Sequence, residues 1–237
     1  MFRPVLPAIA VAIACALAPG SRAADTKTTA AFNGKDLAGW KLKDEKKSKW
    51  AVGIAVIDPT KPTEFGPLAP AAPGTPGDLV NTKVGGCDVY TEAKFGDVTV
   101  EVEFMIPKGS NSGVYLMGEY EVQIIDSFGK PADQLKPGDM GGIYTAAAPK
   151  KNVCKKPGEW QKFVIEFQAP KFEGDKKTAD AKFLKVTFND VVIHENVEVT
   201  KSTGGGLTGK EHATGPLMFQ GDHGPVAFRN VKITPKK

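Results

Sequence analysis

The amino-acid sequence predicts an all-β sandwich built from antiparallel strands. Apolar residues recur at every second position in several segments, Pro and Gly punctuate the stretches between them, and no segment combines a helical apolar stripe with a capped start. Strands with one apolar and one polar face bury only the apolar one, so two sheets must close over each other.

Before the first strand stands a leader. Arg3 precedes an apolar run from Val5 to Ala18, and Ser21-Arg22-Ala23 puts small residues where a signal peptidase reads. Cleavage after Ala23 and export to the periplasm or beyond are expected. The apolar run is shorter than the roughly 20 residues that span a bilayer, which argues against a membrane anchor. Ala12-Ile13-Ala14-Cys15 offers the alternative of a lipid anchor on Cys15. Residues 24–237 then form one domain, long enough to bury a core.

In the clearest strand, Val98, Val100, Val102, Phe104 and Ile106 face one way, and Thr99, Glu101, Glu103 and Met105 the other. Tyr120, Val122 and Ile124 alternate with Glu121, Gln123 and Ile125. Phe163, Ile165 and Phe167 repeat the pattern, with Trp160 opening that strand as a core residue. Leu184, Val186 and Phe188 run into Asn189-Asp190 before Val191 to His194, a hairpin signature. Leu217 to Gln220 and Val226 to Ile233 close the chain. Three irregular stretches, Asp58 to Asp78, Ser127 to Gly142 and Thr200 to Gly215, interrupt the strands as surface insertions or functional rims.

The formal net charge of +4 falls to +2 once Arg3 and Arg22 leave with the leader. The lysine pairs Lys46-Lys47, Lys150-Lys151 and Lys155-Lys156 are not interleaved with aromatic residues, so a nucleic-acid partner is not indicated. Cys87 and Cys154 remain in a compartment that permits a disulfide, and pairing is expected, with two buried thiols as the alternative. Neither has a second ligand at metal-binding spacing. No cofactor is implied, and a calcium ion bracing the sandwich is left open.

Chemistry concentrates in two places. Ser110-Asn111-Ser112-Gly113 turns between strands, so Glu103, Tyr115, Glu121 and Gln123 are expected to share one polar sheet face. Carboxylate, amide and phenol groups there suit sugar hydroxyls; plain solvated strand faces are the alternative. Glu121 and Asp126 stand five apart on a regular strand, hence on opposite faces, which disfavours the paired carboxylates of an ordinary retaining glycosidase. Gln220-Gly221-Asp222-His223-Gly224-Pro225 is a Gly-rich turn at a strand end, and His223 suits proton transfer near neutral pH. His194 and His212 lie in less favourable settings.

Phe32-Asn33-Gly34-Lys35-Asp36-Leu37-Ala38-Gly39-Trp40 resembles the opening motif of the 3-keto-disaccharide hydrolase family. The resemblance continues through Ser110 to Tyr115, Tyr120-Glu121-Val122-Gln123-Ile124, Gly142-Ile143-Tyr144, Pro157-Gly158-Glu159-Trp160 and His223 to Asn230. It implies a concanavalin-like jelly-roll fold of two antiparallel sheets and action on glycosides oxidised at the glucosyl C3 hydroxyl. A ketone there acidifies the C2 hydrogen, so Glu121 or His223 is expected to be the base. Gln123, Gln220 and Tyr115 would hold the sugar and stabilise charge, with Glu103, Asp126, Tyr144 and Glu159 as further candidates for substrate binding. An ordinary carboxylate base would titrate below an imidazole. Met117 stands where many members carry Arg or Gln. The alternative function is a carbohydrate-binding module using the same face.

Overall fold

The computed structural model describes residues 27–236, so the leader and Cys15 lie outside the described residues. Fifteen strands follow in chain order: β1 (Thr29–Ala30), β2 (Trp40–Leu42), β3 (Trp50–Gly53), β4 (Asp78–Asn81), β5 (Val89–Thr91), β6 (Val98–Met105), β7 (Asn111–Leu116), β8 (Tyr120–Ile125), β9 (Gln161–Gln168), β10 (Lys171–Glu173), β11 (Lys176–Ala179), β12 (Ala181–Phe188), β13 (Val191–Val199), β14 (Met218–Phe219) and β15 (Val226–Pro235). One sheet runs β13-β12-β9-β6-β15-β4-β3, with β1 also on β15; the other runs β2-β5-β14-β7-β8; β10 and β11 form a separate hairpin. All of these pairings are antiparallel. The molecule is the expected jelly-roll sandwich.

The period-two residues fill the space between the sheets. Phe104, Phe163, Phe167, Phe188 and Phe228 come from the larger sheet, and Val114, Tyr120, Val122, Ile124 and Phe219 from the smaller. Phe219 and Phe228 stack with ring centroids 3.9 Å apart, joining β14 to β15 across the layers. Burying such aromatic side chains contributes most of the favourable free energy of folding, about 1.5–3 kcal/mol for each large apolar residue.

Asn189 and Asp190 both adopt left-handed backbone angles, φ 45° and 66°. They form the two-residue turn that the twist of an antiparallel pair favours. The strand before it departs from the simple alternation. Pairing with β9 shifts between Phe183 and Lys185, so Phe183 rather than Leu184 enters the core: a bulge adds a residue and reverses the phase. A second irregularity, between Arg229 and Lys232 on β15, turns both Arg229 and Asn230 towards Glu103, which accepts from them at 2.8 and 2.9 Å.

The expected disulfide is absent: Cys87 and Cys154 are both free. The Cys87 carbonyl accepts from the Trp50 indole at 2.6 Å beside β5, whereas the Cys154 thiol donates to the Lys155 carbonyl ahead of β9. The two thiols thus precede strands of different sheets. Burial pushes both upward, Cys154 to about 11, so neither is a ready nucleophile. Protein unfolded without reductant should yield both as alkylatable thiols, and its melting temperature should not move when reductant is added. A drop of several degrees would show a bridge, against the free thiols described.

Trp160 also differs from expectation. It is half-buried, with the Arg229 guanidinium 4.0 Å above its ring. One position before the inward Gln161, it lies outside the aromatic core and packs instead against a smaller apolar cluster of Ala55, Phe65, Val80, Met105 and Ala227.

Candidate functional site

The site stands on the outward face of the smaller sheet. Residues directly opposite on paired strands share a face. Tyr115 pairs with Glu121 and Gly113 with Gln123, and Met218 pairs with both Tyr115 and Tyr90. Alternation then adds Gln220 after Met218 and Asp88 before Tyr90. The Gln220 backbone N–H donates to Gly113 at 3.0 Å, which fixes Gln220 opposite that glycine. Because Val122 and Ile124 are held in the core, Glu121 and Gln123 must point outwards.

Two loops cover this face. The Thr203 hydroxyl accepts from the Glu121 backbone N–H at 2.9 Å, and the following turn crosses so close to Tyr115 that a Cβ on Gly205 would lie 2.8 Å from the phenol oxygen. Glu119 anchors that loop, accepting from the Thr208 N–H and hydroxyl and from the Gly209 N–H at 2.7–3.0 Å. On the other side, the Tyr144 N–H donates to the Glu121 carbonyl at 3.1 Å, leaving the Tyr144 ring partly exposed.

Glu121 is 2% exposed. Its Oε1 has no hydrogen-bond partner among the described residues, and neither do Oε1 of Gln123, Oε1 of Gln220 or Oδ1 of Asn111. Asn111 lies on the same strand face as Gly113 and Tyr115. Buried acceptors left without donors are costly, and four on one face complement a ligand rich in hydroxyl groups. The Gln220 amide donates to the Tyr115 hydroxyl at 3.4 Å. Gly113 makes the room: a Cβ there would lie 2.2 Å from Glu121 Oε1.

The electrostatics of Glu121 follow from this enclosure. Burial raises its pKa to about 8, the Tyr115 hydroxyl opposes the shift, and the negative charges of Asp88 and Asp222 add to it. Tyr115 is raised as well, by burial first and then by Glu121. Asp88 is fixed by Lys43 at 3.0 Å and by the Gly221 N–H at 3.2 Å.

His223 stands at the border of this face. Its Nδ1 lies 2.5 Å from Asp222 Oδ1, and both side chains are about half exposed. The buried Asn81 amide donates to the carbonyls of Gly221 and Gly224 at 2.8 Å each, clamping both ends of the turn that carries the pair. The imidazole lines a cavity of about 490 Å³ with Lys108 and Ser110, at the start of β7 rather than over Glu121.

Tyr115, Glu121, Gln123 and Gln220 are therefore brought together, with Tyr144 flanking them and His223 on the rim. Glu103 is not on this surface. It belongs to β6 of the larger sheet and is occupied by Arg229 and Asn230, because β6 and β8 fall in different layers. Asp126 accepts the Gly109 and Phe128 backbone N–H groups, and exposed Glu159 sits in the turn ahead of β9. His194 is buried against the Gly141 carbonyl at 2.8 Å. Met117 occupies the β7–β8 turn with φ 55° and lines a cavity of about 310 Å³ with Tyr90 and Glu119. Asp88, Asp222 and Glu119 escape a reading of the sequence. The one available signal is the polar alternation of Asp88 and Tyr90 around Val89. Among the described residues no group of three or more His, Cys, Asp or Glu could hold a metal ion, and no helix is long and apolar enough to cross a membrane.

Residues 27–234 match the model of the 3-keto-alpha-glucoside-1,2-lyase-like domain. The chain belongs to that family. A provisionally named glycosyl hydrolase of Parabacteroides distasonis ATCC 8503, solved at 2.13 Å, superposes with a TM-score of 0.62 at 26% identity, covering 88% of this chain and 84% of its own. A second from the same organism, solved at 1.70 Å, gives 0.59 at 19% identity over 89% and 94%, a likeness of fold alone. No curated protein matches the chain.

Proposed function

We propose that the protein cleaves glycosides whose glucosyl C3 hydroxyl has been oxidised to a ketone, by elimination followed by hydration. The Glu121 carboxylate takes the acidified C2 proton, and the C–H electron pair becomes an enolate. The enolate expels the oxygen at C1, which leaves with a proton taken from water. Water then adds across the C1–C2 double bond. Burial suits Glu121 to the first step: the conjugate base of an acid near 8 is stronger than an ordinary carboxylate and titrates close to neutral pH. The Tyr115 hydroxyl and the amide N–H groups of Gln123 and Gln220 donate to the developing enolate oxygen. This reading takes the protein to act outside the cytoplasm, after removal of residues 1–23.

The observation that carries the proposal is the unpartnered, buried Glu121 Oε1 among unpartnered amide oxygens, in a chain of this family. The test is cleavage of a 3-keto-disaccharide against its unoxidised parent in D2O. Only the keto compound should be cleaved, and the product sampled at early times should carry deuterium at C2. Equal cleavage of both, or retention of the C2 hydrogen, would indicate ordinary hydrolysis. Binding without cleavage would make the face a carbohydrate-binding surface.

A further inference from the structure

A second feature begins where the His223 turn ends. The cavity of about 490 Å³ beside His223 and a neighbouring one of about 390 Å³, lined by Phe128, Lys156 and Pro157, both have Lys108 in their walls. They adjoin at that residue, two halves of a trough beside the start of β7. Its frame is fixed: Asp126 accepts the Gly109 N–H at 2.9 Å and the Phe128 N–H at 3.2 Å, tying one wall to the other. The Lys108 N–H donates to the Pro62 carbonyl at 2.9 Å, and the Ser110 hydroxyl donates to the Pro225 carbonyl at 2.6 Å. A pre-formed frame loses little conformational freedom when it binds.

The lining has a definite chemistry. Lys83, Lys108 and Lys156 make no ion pair among the described residues, although lysines elsewhere on the surface, such as Lys43, Lys130 and Lys162, do. Two acids share these walls, Glu64 and Asp126, the latter keeping its charge while its oxygens hold backbone N–H groups, so the three ammonium groups are in excess by one. Phe128 is 49% exposed and presents a ring at the far end. Ammonium groups and an aromatic face in one trough match a ligand with both a carboxylate and an apolar ring face. Among carbohydrates that is a sugar acid.

We propose that this trough binds an acidic oligosaccharide, its uronate carboxylates at the three lysines and a sugar ring against Phe128. Ser110 lies five residues before Tyr115, about 16 Å along an extended strand, so the acidic units and the unit at Glu121 are different parts of one chain. The inference rests on the carbohydrate reading above but not on the keto-glycoside chemistry.

The test is calorimetric titration of the mature protein with tetramers of galacturonate, glucuronate and mannuronate, each beside its methyl ester. At least one acid tetramer should bind tenfold or more tightly than its ester. The preference should shrink as salt is raised from 0.05 to 0.5 M, because exposed charges are screened over about 10 Å at 0.1 M. Lys108→Ala and Phe128→Ala should each weaken binding roughly fivefold, the scale of one solvated ion pair or ring contact, with unchanged melting temperatures. Lys150→Ala, which removes an exposed lysine paired with Glu195 and outside the trough, should leave binding intact. No preference for any acid over its ester, or a loss in Lys150→Ala as large as in Lys108→Ala, overturns the proposal. The keto-disaccharide assay fails or succeeds separately: uronate binding without cleavage sinks only the earlier reading, and cleavage without uronate preference sinks only this one.

Discussion

Replacing Glu121 by Gln should lower the rate of 3-keto-disaccharide cleavage by about 10²- to 10⁴-fold, the usual contribution of a general base, without unfolding the protein. Gln keeps the shape of the side chain and removes only its ability to take a proton. The same variant makes a thermodynamic prediction of definite sign. Glu121 has a folded pKa of about 8 against an ordinary value of 4.5, so the folded state holds the proton more tightly than the unfolded chain. Its contribution to stability is complete below about 4.5 and is lost as pH rises towards 8. The loss is about 5 kcal/mol. Wild type and Glu121→Gln should therefore melt at similar temperatures at pH 4, and the variant should melt higher at pH 9. A gap that does not widen over that interval would mean that the carboxyl is not buried as described.

The pH dependence of cleavage separates the two bases that the sequence offered. With Glu121 as base, the wild-type rate rises through a value near 8, above the ordinary range of an imidazole. Composition and spacing suggested the opposite order, with a carboxylate titrating below a histidine. Burial reverses it, and burial depends on the loops at 203–209 and 141–147, whose paths no alternation encodes.

The layers of the fold were legible because period-two alternation is a local property, repeated in β6, β8 and β9 strongly enough to survive irregularities. Which strands share a layer is not local. Glu103 and Glu121 carry the same sequence signature, an acid flanked by core residues, yet β6 and β8 belong to different sheets. The phase error at Leu184 has a similar origin, since a bulge depends on the neighbouring strand. The pairing of Glu121 with Gln123 was readable because two residues on one strand need no partner to share a face. Asp88 was not, because only the register of β5 on β14 brings it to that face. Cys87 and Cys154 show the same limit: their count invited a bridge, but a count carries no information on where each thiol packs, and both are free.

Gly113 offers the sharpest test of how the site is built. Alternation puts it on the outward face, where spacing alone sets no limit on side-chain size, and its backbone angles do not require glycine. A Cβ at this position would nevertheless stand 2.2 Å from Glu121 Oε1 and 2.9 Å from Cε2 of the Tyr115 ring, closer than real methyl contacts come. The carboxylate must then swing away from the place where it meets the C2 hydrogen. Misplacing a catalytic group by about 1 Å can cost on the order of 10²-fold in rate. We therefore expect Gly113→Ala to lose about that much activity, together with roughly 1–3 kcal/mol of stability from overpacking. The two losses have one cause, and a double-mutant cycle exposes it. In a Glu121→Ala background the new methyl meets empty space on the carboxylate side, so the stability cost of Gly113→Ala should shrink by 0.5 kcal/mol or more, the scale of coupling between residues in contact. If Gly113→Ala is destabilising to the same degree in both backgrounds, the strain lies against Tyr115 or the strand, and Gly113 has no part in making room for the Glu121 carboxylate.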